Sequence, residues 1–480
     1  MRRPLLLINP WIYDCAAYDF FARPLGLLYL AGLLEARGFA VNFLDCLGGP
    51  PARPGPFGTG RYPKEILPTP PPLQGLPRRY GRYGISPAAF QAQLSRLPQP
   101  GAILVTSLMT YWYPGVVEAI RLARRHFPGT PVILGGIYAT LCPEHARQHS
   151  GADLVLTGPG EEAVLHHLGE LLEIPRHKPQ SMSASETELP SPWMGEGRGG
   201  GDNFITPPPC PFPPGEGEVN FTDNLAGPLD SLAYPALHLS SHLSYIPILT
   251  SRGCPLDCSY CASRRLQPTF RQRRPLAVVA ELCHWQERLG LFEVAFYDDA
   301  LLVQPEDHLL VILEELARRG LSFRFHTPNG LHARLISREV AFSLKRAPFA
   351  TLRLGVETAA PGSARLDRKL QEGELESALA NLREAGFRQQ EMGVYLLVGL
   401  PYQEEAEIAA SIRRVQELGG TPILAQYSPI PGTALWPQAV QCSRYDLETD
   451  PLYHNNSLFP CLPQFDWERY SRLKRLAGGR

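Results

Sequence analysis

The chain has 480 residues, enough for two or three domains. Its 46 Lys and Arg against 47 Asp and Glu leave a formal net charge of -1, with both signs interspersed, so nothing in the composition calls for nucleic acid or an anionic membrane. Ten cysteines follow no regular framework, which suits a reducing cytoplasm better than a disulfide-bonded module. The opening Met1–Pro10 stretch joins two arginines to an apolar run that Asn9 and Pro10 stop. That run is far too short to span a membrane and reads as a first strand, so the chain is expected to be soluble, untargeted and cytoplasmic.

Over residues 1–172 short apolar runs alternate with amphipathic stretches, which predicts βαβ units on a parallel sheet. Strands fall at Leu5–Ile8, Val41–Asp45, Ile103–Ser107, Val132–Leu134 and Leu154–Thr157, with helices over Gly26–Arg37, Val116–His126, Pro143–Gln148 and from Glu161. Such a set suits a flavodoxin-like (Rossmann-like), doubly wound α/β sheet, whose ligand crevice lies at the carboxyl ends of its strands. A proline- and glycine-rich segment between Gly48 and Pro100 breaks the pattern and is expected to cover one face of this domain. Residues 173–238 are expected to form a low-complexity linker or insertion, with Ser181–Ser185, Gly199–Gly201 and Pro207–Pro214 offering little apolar surface to bury.

From residue 239 to 442 the alternation resumes. Strands are expected at Ile246–Thr250, Glu293–Tyr297, Ser322–Thr327, Thr351–Gly355, Gly393–Val398 and Ile423–Tyr427, with helices over Leu276–Leu289, Pro305–Arg319, Ser337–Lys345, Leu375–Ala385 and Glu404–Leu418. In β/α barrels the chemistry sits at the carboxyl ends of the strands. Residues 443–480 form a short C-terminal extension, too small for a domain of its own.

Cys254, Cys258 and Cys261 follow the first of these strands with the spacing C-x3-C-x2-C. Three thiolates on one loop can hold three irons of a [4Fe–4S] cluster and leave the fourth iron open to a substrate or cofactor. A zinc site is the competing reading, but zinc usually takes paired C-x2-C or Cys/His ligands, and no second pair lies nearby. The spacing, with aromatic Tyr260 just before the last cysteine, resembles the signature of the radical S-adenosylmethionine (SAM) superfamily, whose fold is a partial (β/α)6 barrel. The resemblance implies that the open iron chelates the amino and carboxylate groups of SAM. It also implies reductive cleavage to a 5′-deoxyadenosyl radical, with a flavodoxin or ferredoxin as electron donor.

Further segments extend the resemblance. Phe296-Tyr-Asp-Asp-Ala300 is similar to the strand-end segment whose backbone holds the SAM amino group, which assigns Tyr297 and Asp298 to SAM; the aspartates would also serve as turn residues. Leu354-Gly-Val-Glu-Thr358 resembles the segment whose acid contacts the ribose, here Glu357. Leu396-Leu-Val-Gly-Leu-Pro401 resembles the part that packs on adenine, where Gly399 permits close backbone approach. Thr327–Gly330 and Tyr427–Gly432 fall where relatives line the substrate cavity, or are plain turns. Arg264, Arg265, Arg271, Arg273 and Arg274 are either carboxylate or phosphate ligands or a solvated edge.

The N-terminal region resembles the cobalamin (B12)-binding domain found in this superfamily, on Asn9-Pro10, Pro24–Ala31, Asp45, Leu134-Gly-Gly-Ile-Tyr138 and Thr157-Gly-Pro-Gly-Glu161. Gly135, Gly136 and Gly158 are then candidate cobalamin contacts. The Asp-x-His-x-x-Gly motif, whose histidine coordinates cobalt in many cobalamin proteins, is absent. Tyr111, Trp112 and Tyr113 are expected at the end of the third strand, either covering a flat ligand or serving as core. The resulting expectation is a radical SAM enzyme, cobalamin-dependent, that methylates an unactivated carbon of a small molecule or peptide. A cobalamin-independent rearrangement, cyclisation or methylthiolation enzyme, whose N-terminal domain binds substrate, and a non-catalytic iron–sulfur sensor are the alternatives. Neither extra cluster cysteines nor a basic RNA-binding module is present, which disfavours RNA as substrate.

Overall fold

The computed structural model describes residues 4–171, 229–360, 370–462 and 466–478. Most of the linker expected over 173–238 therefore lies outside the described residues.

The N-terminal sheet consists of β1 (Leu5–Asn9), β2 (Val41–Asp45), β3 (Ala102–Val105), β4 (Val132–Leu134) and β5 (Leu154–Val155), all parallel, in the order β5-β4-β3-β1-β2. This is the flavodoxin-like order expected from the sequence. The unbroken apolar run in β1 follows from its central place. Leu5 and Leu7 pack with Leu27, Leu34 and Leu168 on one face, while Leu6 and Ile8 pack with Val116, Ile120 and Phe90 on the other.

The segment between Gly48 and Pro100 is more ordered than its composition suggested. It supplies a helix, Pro87–Leu94, capped by the Ser86 hydroxyl accepting from the Ala89 N–H at 3.1 Å. It also pairs with the loop after β1 in two small antiparallel sheets: Ile12–Asp14 with Gly81–Tyr83 and Lys64–Ile66, and Tyr18–Asp19 with Gly60–Arg61 and Arg53–Pro54. These arms leave their own domain. The Phe21 ring stacks on His326 at 4.6 Å between centroids, and Phe57 meets the same imidazole at 4.8 Å. Both phenylalanines have φ of 57°, a left-handed conformation that costs a non-glycine residue on the order of 1 kcal/mol or more and persists where the surroundings enforce it.

His326 belongs to the second sheet, a run of parallel strands in chain order: β6 (Ile246–Ile248), β7 (Glu293–Phe296), β8 (Arg324–His326), β9 (Phe349–Glu357), β10 (Met392–Val398) and β11 (Thr421–Gln426). Among the described residues no ladder joins β11 back to β6, so the barrel is partial. Strand alternation sets its two faces. Leu352, Leu354 and Val356 of β9 and Val394, Leu396 and Val398 of β10 enter the core with the surrounding helices, leaving Arg353, Glu357 and Tyr395 on the lumen side. Helices Pro275–Leu289, Leu309–Arg318, Arg338–Arg346, Glu374–Glu384 and Glu405–Glu417 cover the outside. The second begins four residues later than periodicity suggested, because Val303–His308 are spent on turns.

The C-terminal extension is not peripheral. Phe459, Tyr470 and Leu473 are buried in the barrel's own core, and the helix Trp467–Ala477 packs on Glu405–Glu417 and β11. Asn455 donates to the buried Asp14 carboxylate at 2.9 Å, and His454 meets the Thr110 hydroxyl at 3.0 Å, which ties this segment to the N-terminal domain. No helix among the described residues is long and apolar enough to cross a membrane.

Candidate active site

The cysteine loop is braced at its root. After β6, Ser251–Arg252 pairs antiparallel with Arg271–Gln272 and closes a loop containing all three cysteines. The Asp298 carboxylate, buried at the end of β7, accepts from the Thr250 N–H at 3.1 Å, the Thr250 hydroxyl at 2.7 Å and the Ser251 hydroxyl at 2.6 Å. Burial pushes its pKa up, opposed by these bonds. Further along, the Cys261 N–H donates to the Cys258 carbonyl at 3.0 Å, and the Leu435 N–H donates to the Ser259 carbonyl at 2.8 Å, which anchors the loop to the helix Trp436–Cys442.

None of the three is in a disulfide, with Cys254 and Cys258 half-buried and Cys261 exposed. Burial is the main cause that pushes the Cys254 thiol up to about 11, with Asp299, Cys258 and Cys261 adding to it. Two sulfurs on one tetrahedral zinc lie only about 3.8 Å apart, from Zn–S bonds of about 2.3 Å. The trio does not form a set of ligand atoms within 4.8 Å of one another; among the described residues only His166, His167 and Glu170 do so.

Glu357 is brought to this loop. It ends β9 at φ 68°, and the Thr358 N–H reaches back to the Val356 carbonyl at 2.8 Å, a strained left-handed γ-turn. Tyr260 bridges the two parts: burial first, then the Glu357 carboxylate and Cys258, push its hydroxyl far above the usual range. Tyr297 stands at the end of β7, its hydroxyl accepting from the Arg23 N–H at 2.9 Å and bonded to Tyr245 at 3.0 Å. With the Asp298 carboxylate turned to the loop root, what Tyr297 and Asp298 offer at the strand end is backbone. The Asn329 amide donates to both carbonyls, at 3.0 and 3.3 Å. Gly399 has φ of 102°, and a Cβ there would stand 3.1 Å from the Phe459 ring. Its N–H donates to Gln403 Oε1 at 2.8 Å, so the close approach at this glycine is made by the C-terminal extension.

A cavity of about 390 Å³ joins the two domains. Its walls are the carboxyl ends of β3, β4 and β5 on one side, and Leu249, Ser251–Gly253, Tyr297 and Asp299 at the mouth of the barrel on the other. Gly135, Gly136 and Gly158 all line it, but not equivalently. A Cβ on Gly135 or Gly158 would meet nothing within 4 Å, whereas on Gly136, at φ 94°, it would lie 2.3 Å from the Ser107 carbonyl oxygen. Gly135 and Gly158 thus leave room for a ligand, and Gly136 makes room for the neighbouring strand end. No histidine, cysteine or methionine is among the lining residues, in keeping with the missing Asp-x-His-x-x-Gly motif.

Other expectations fare differently. Tyr111, Trp112 and Tyr113 do not line this cavity. Tyr111 is buried, Trp112 donates to Asp14 Oδ2 at 2.8 Å, and Tyr113 stacks on Tyr138, because Thr106–Leu108 carry the strand end past the cavity and the chain has turned helical from Thr110. Four of the arginines after the cysteines are engaged within the chain: Arg264 with Asp257, Arg265 with the Gly432 carbonyl, Arg273 with Glu281 and Arg274 with Asp230. Asp299, singled out in the sequence as part of the Tyr-Asp-Asp segment, lines the cavity beside Cys254, whereas the contact of Phe21 with His326 was not legible. The tandem aspartates were the local signal for the first; the second has none.

Residues 248–415 match the family model of the radical SAM superfamily, and residues 82–167 match that of the B12 binding domain. The cytidylyl-2-hydroxyethylphosphonate methyltransferase of Streptomyces wedmorensis is 24% identical over 356 residues, covering 68% of this chain and 60% of that protein. The bacteriochlorophyllide d C-12(1)-methyltransferase of Chlorobaculum tepidum is 25% identical over 252 residues, covering 50% of this chain and 48% of that one. The chain thus spans about half to three fifths of the length of these relatives. Among solved structures, the radical S-adenosylmethionine methyltransferase TsrM of Kitasatospora setae, with cobalamin and a [4Fe–4S] cluster bound, superposes with a TM-score of 0.61 at 17% identity, over 98% of this chain and 82% of that one. At that identity the likeness speaks for the fold.

Proposed function

We propose, for a chain that combines a radical SAM domain with a B12-binding domain, a cobalamin-dependent enzyme that methylates an unactivated carbon of a small molecule or peptide. The observation that carries this reading is the single cavity walled by both carboxyl strand-end faces, which would set a ligand of the first domain beside the cluster loop of the second. Bound there, the cluster would supply the electron that cleaves SAM to a 5′-deoxyadenosyl radical, and cobalamin would supply the methyl group. The protein's part is positioning and shielding. Cys254, Cys258 and Cys261 would hold the irons; Glu357 and the backbone at Tyr297 and Asp298 would hold SAM, with Gly399 shaping the loop beside it. Gly135 and Gly158 would let the corrin approach the strand ends, with Gly136 making room for the Ser107 backbone beside them. Leu25, Leu27, Leu104, Ile133 and Leu249 line the cavity with apolar surface that keeps water from the reacting groups.

The related methyltransferases act, by name, on a cytidylylated phosphonate and a bacteriochlorophyllide, which supports a small-molecule substrate here. An electron donor such as a flavodoxin or ferredoxin, and a reducing cytoplasm that keeps thiols free, complete the proposal. The test is anaerobic reconstitution with iron, sulfide, hydroxocobalamin, SAM and reductant. Corrin absorbance retained through desalting, together with SAM consumption, is the expected result. SAM cleavage without retained corrin would assign the chain to cobalamin-independent radical chemistry, and a cluster without SAM cleavage would assign it to sensing.

A further inference from the structure

Two charged side chains meet across the interdomain cavity. Glu161, in the first turn of the helix Gly160–Leu171, accepts from Arg252 Nη1 at 2.5 Å. The pair is nearly enclosed, with side chains 11% exposed at Arg252 and 15% at Glu161, and both residues line the cavity. Arg252 lies two residues before Cys254, and its guanidinium sits 5.3 Å from the centroid of the Tyr29 ring, so one of its faces meets an aromatic rather than water. Directly across the two-stranded ladder from Arg252 is Arg271. Arg271 has a buried Nε without a hydrogen-bond partner, and no carboxylate forms an ion pair with it among the described residues. Like charges facing one another across a ladder repel. Arg252 and Arg271 thus place two cations at the root of the cysteine loop, beside the Asp298 carboxylate of the same domain, and the carboxylate that pairs with Arg252 comes from the other domain.

We propose that Glu161 and Arg252 are positioning residues through which the B12-binding domain sets the electrostatic potential at the cluster loop. The inference rests on the reading that Cys254, Cys258 and Cys261 hold a [4Fe–4S] cluster. Reduction adds one negative charge to such a cluster, and its potential responds to nearby charge, more so where water is excluded. With the pair intact the two charges largely cancel at the loop. Removing the carboxylate leaves a bare guanidinium that favours the reduced cluster; removing the guanidinium leaves a bare carboxylate that disfavours it.

The experiment is an EPR-monitored redox titration of the anaerobically reconstituted full chain. Glu161→Gln is expected to raise the midpoint potential and Arg252→Met to lower it. The Glu161→Gln/Arg252→Met double variant should return toward the wild-type value, and Arg252→Lys should stay near it. A purely mechanical clip would shift both single variants the same way, leave both unchanged, or cost both their cluster, and any of these results overturns the proposal. Wild-type protein that forms no [4Fe–4S] signal overturns the cluster reading first, and this inference with it.

Discussion

The two faces that enclose the cavity are built by opposite means. On the sheet side the surface is shaped by side chains that are missing: Gly135 and Gly158 end their strands with nothing within 4 Å of where a Cβ would stand. On the barrel side the strand ends and loops behind that surface are held by side chains already engaged. Asp298 holds the root of the cysteine loop, Gln403 holds the turn at Gly399, and Glu357 is kept in a strained γ-turn. A large preformed ligand needs a cradle that yields backbone-level approach, whereas a cluster assembled on a loop needs that loop held before the irons arrive. The sheet face should therefore tolerate loss of stability poorly at one glycine and loss of binding at its neighbour. The barrel face should couple the two losses.

The largest expected effect tests the barrel face directly. Cys258→Ala should abolish SAM cleavage, read as 5′-deoxyadenosine by chromatography, while corrin retention on the opposite face stays; loss of both would mean that the faces are not separable. Asp298→Ala comes next. It strands the Thr250 N–H and two hydroxyls in a buried site, which should cost about 2–4 kcal/mol in urea unfolding and lower cluster content with it. An unchanged midpoint with full iron loading would show that the loop needs no such brace.

The joint between the faces can be tested by pH. Burial holds His454 neutral, pulling its pKa from 6.5 down to about 4. The unfolded chain therefore binds a proton that the folded chain refuses. The stability this contributes is full above pH 6.5 and is lost as pH falls toward 4, by up to about 3 kcal/mol. His145 is lowered to about 4 in the same way, and burial also lowers His284, His308 and His326, so His454→Gln should flatten the decline of the urea midpoint in part, not remove it. A decline as steep in the variant as in the wild type would place the acid sensitivity elsewhere.

The smallest effect is the most discriminating for the sheet face. Gly135→Leu should weaken corrin retention at least tenfold, about 1.4 kcal/mol, with thermal stability within a few degrees of wild type. Gly136→Ala next to it should instead lower stability outright, because its Cβ would meet the Ser107 backbone at 2.3 Å. If both glycines behaved alike, the distinction between a cradle and a packed strand end would fail.

The parts of this arrangement that were legible in the sequence are local ones. The strands of both sheets announce themselves as apolar runs, and strand order in the first sheet follows from the βαβ rhythm. The cysteine trio is a spacing. What was not legible depends on partners far along the chain. Trp112 could not be read as a donor to Asp14, nor Asp14 as the acceptor of Asn455, because neither residue carries a local signal of its partner. The same holds for Phe21 and Phe57, whose role exists only once His326 is between them. Asp298 was assigned correctly to a strand end, but its direction, toward the loop root and not the ligand, is a tertiary fact.

The bond between Asn455 and Asp14 spans 441 positions of the sequence, and that between the Arg23 N–H and the Tyr297 hydroxyl spans 274. Contacts so distant are slow to find, since loop-closure entropy must be met before they contribute. On a ribosome, Asp14 emerges well before Asn455 and stays without its amide donor while the 441 positions between them are made. The N-terminal sheet can form by then, but the hydrogen bonding of Asp14 is completed only when the segment carrying Asn455 arrives. Synthesis of this protein should therefore leave a long interval in which that interface stands unfinished.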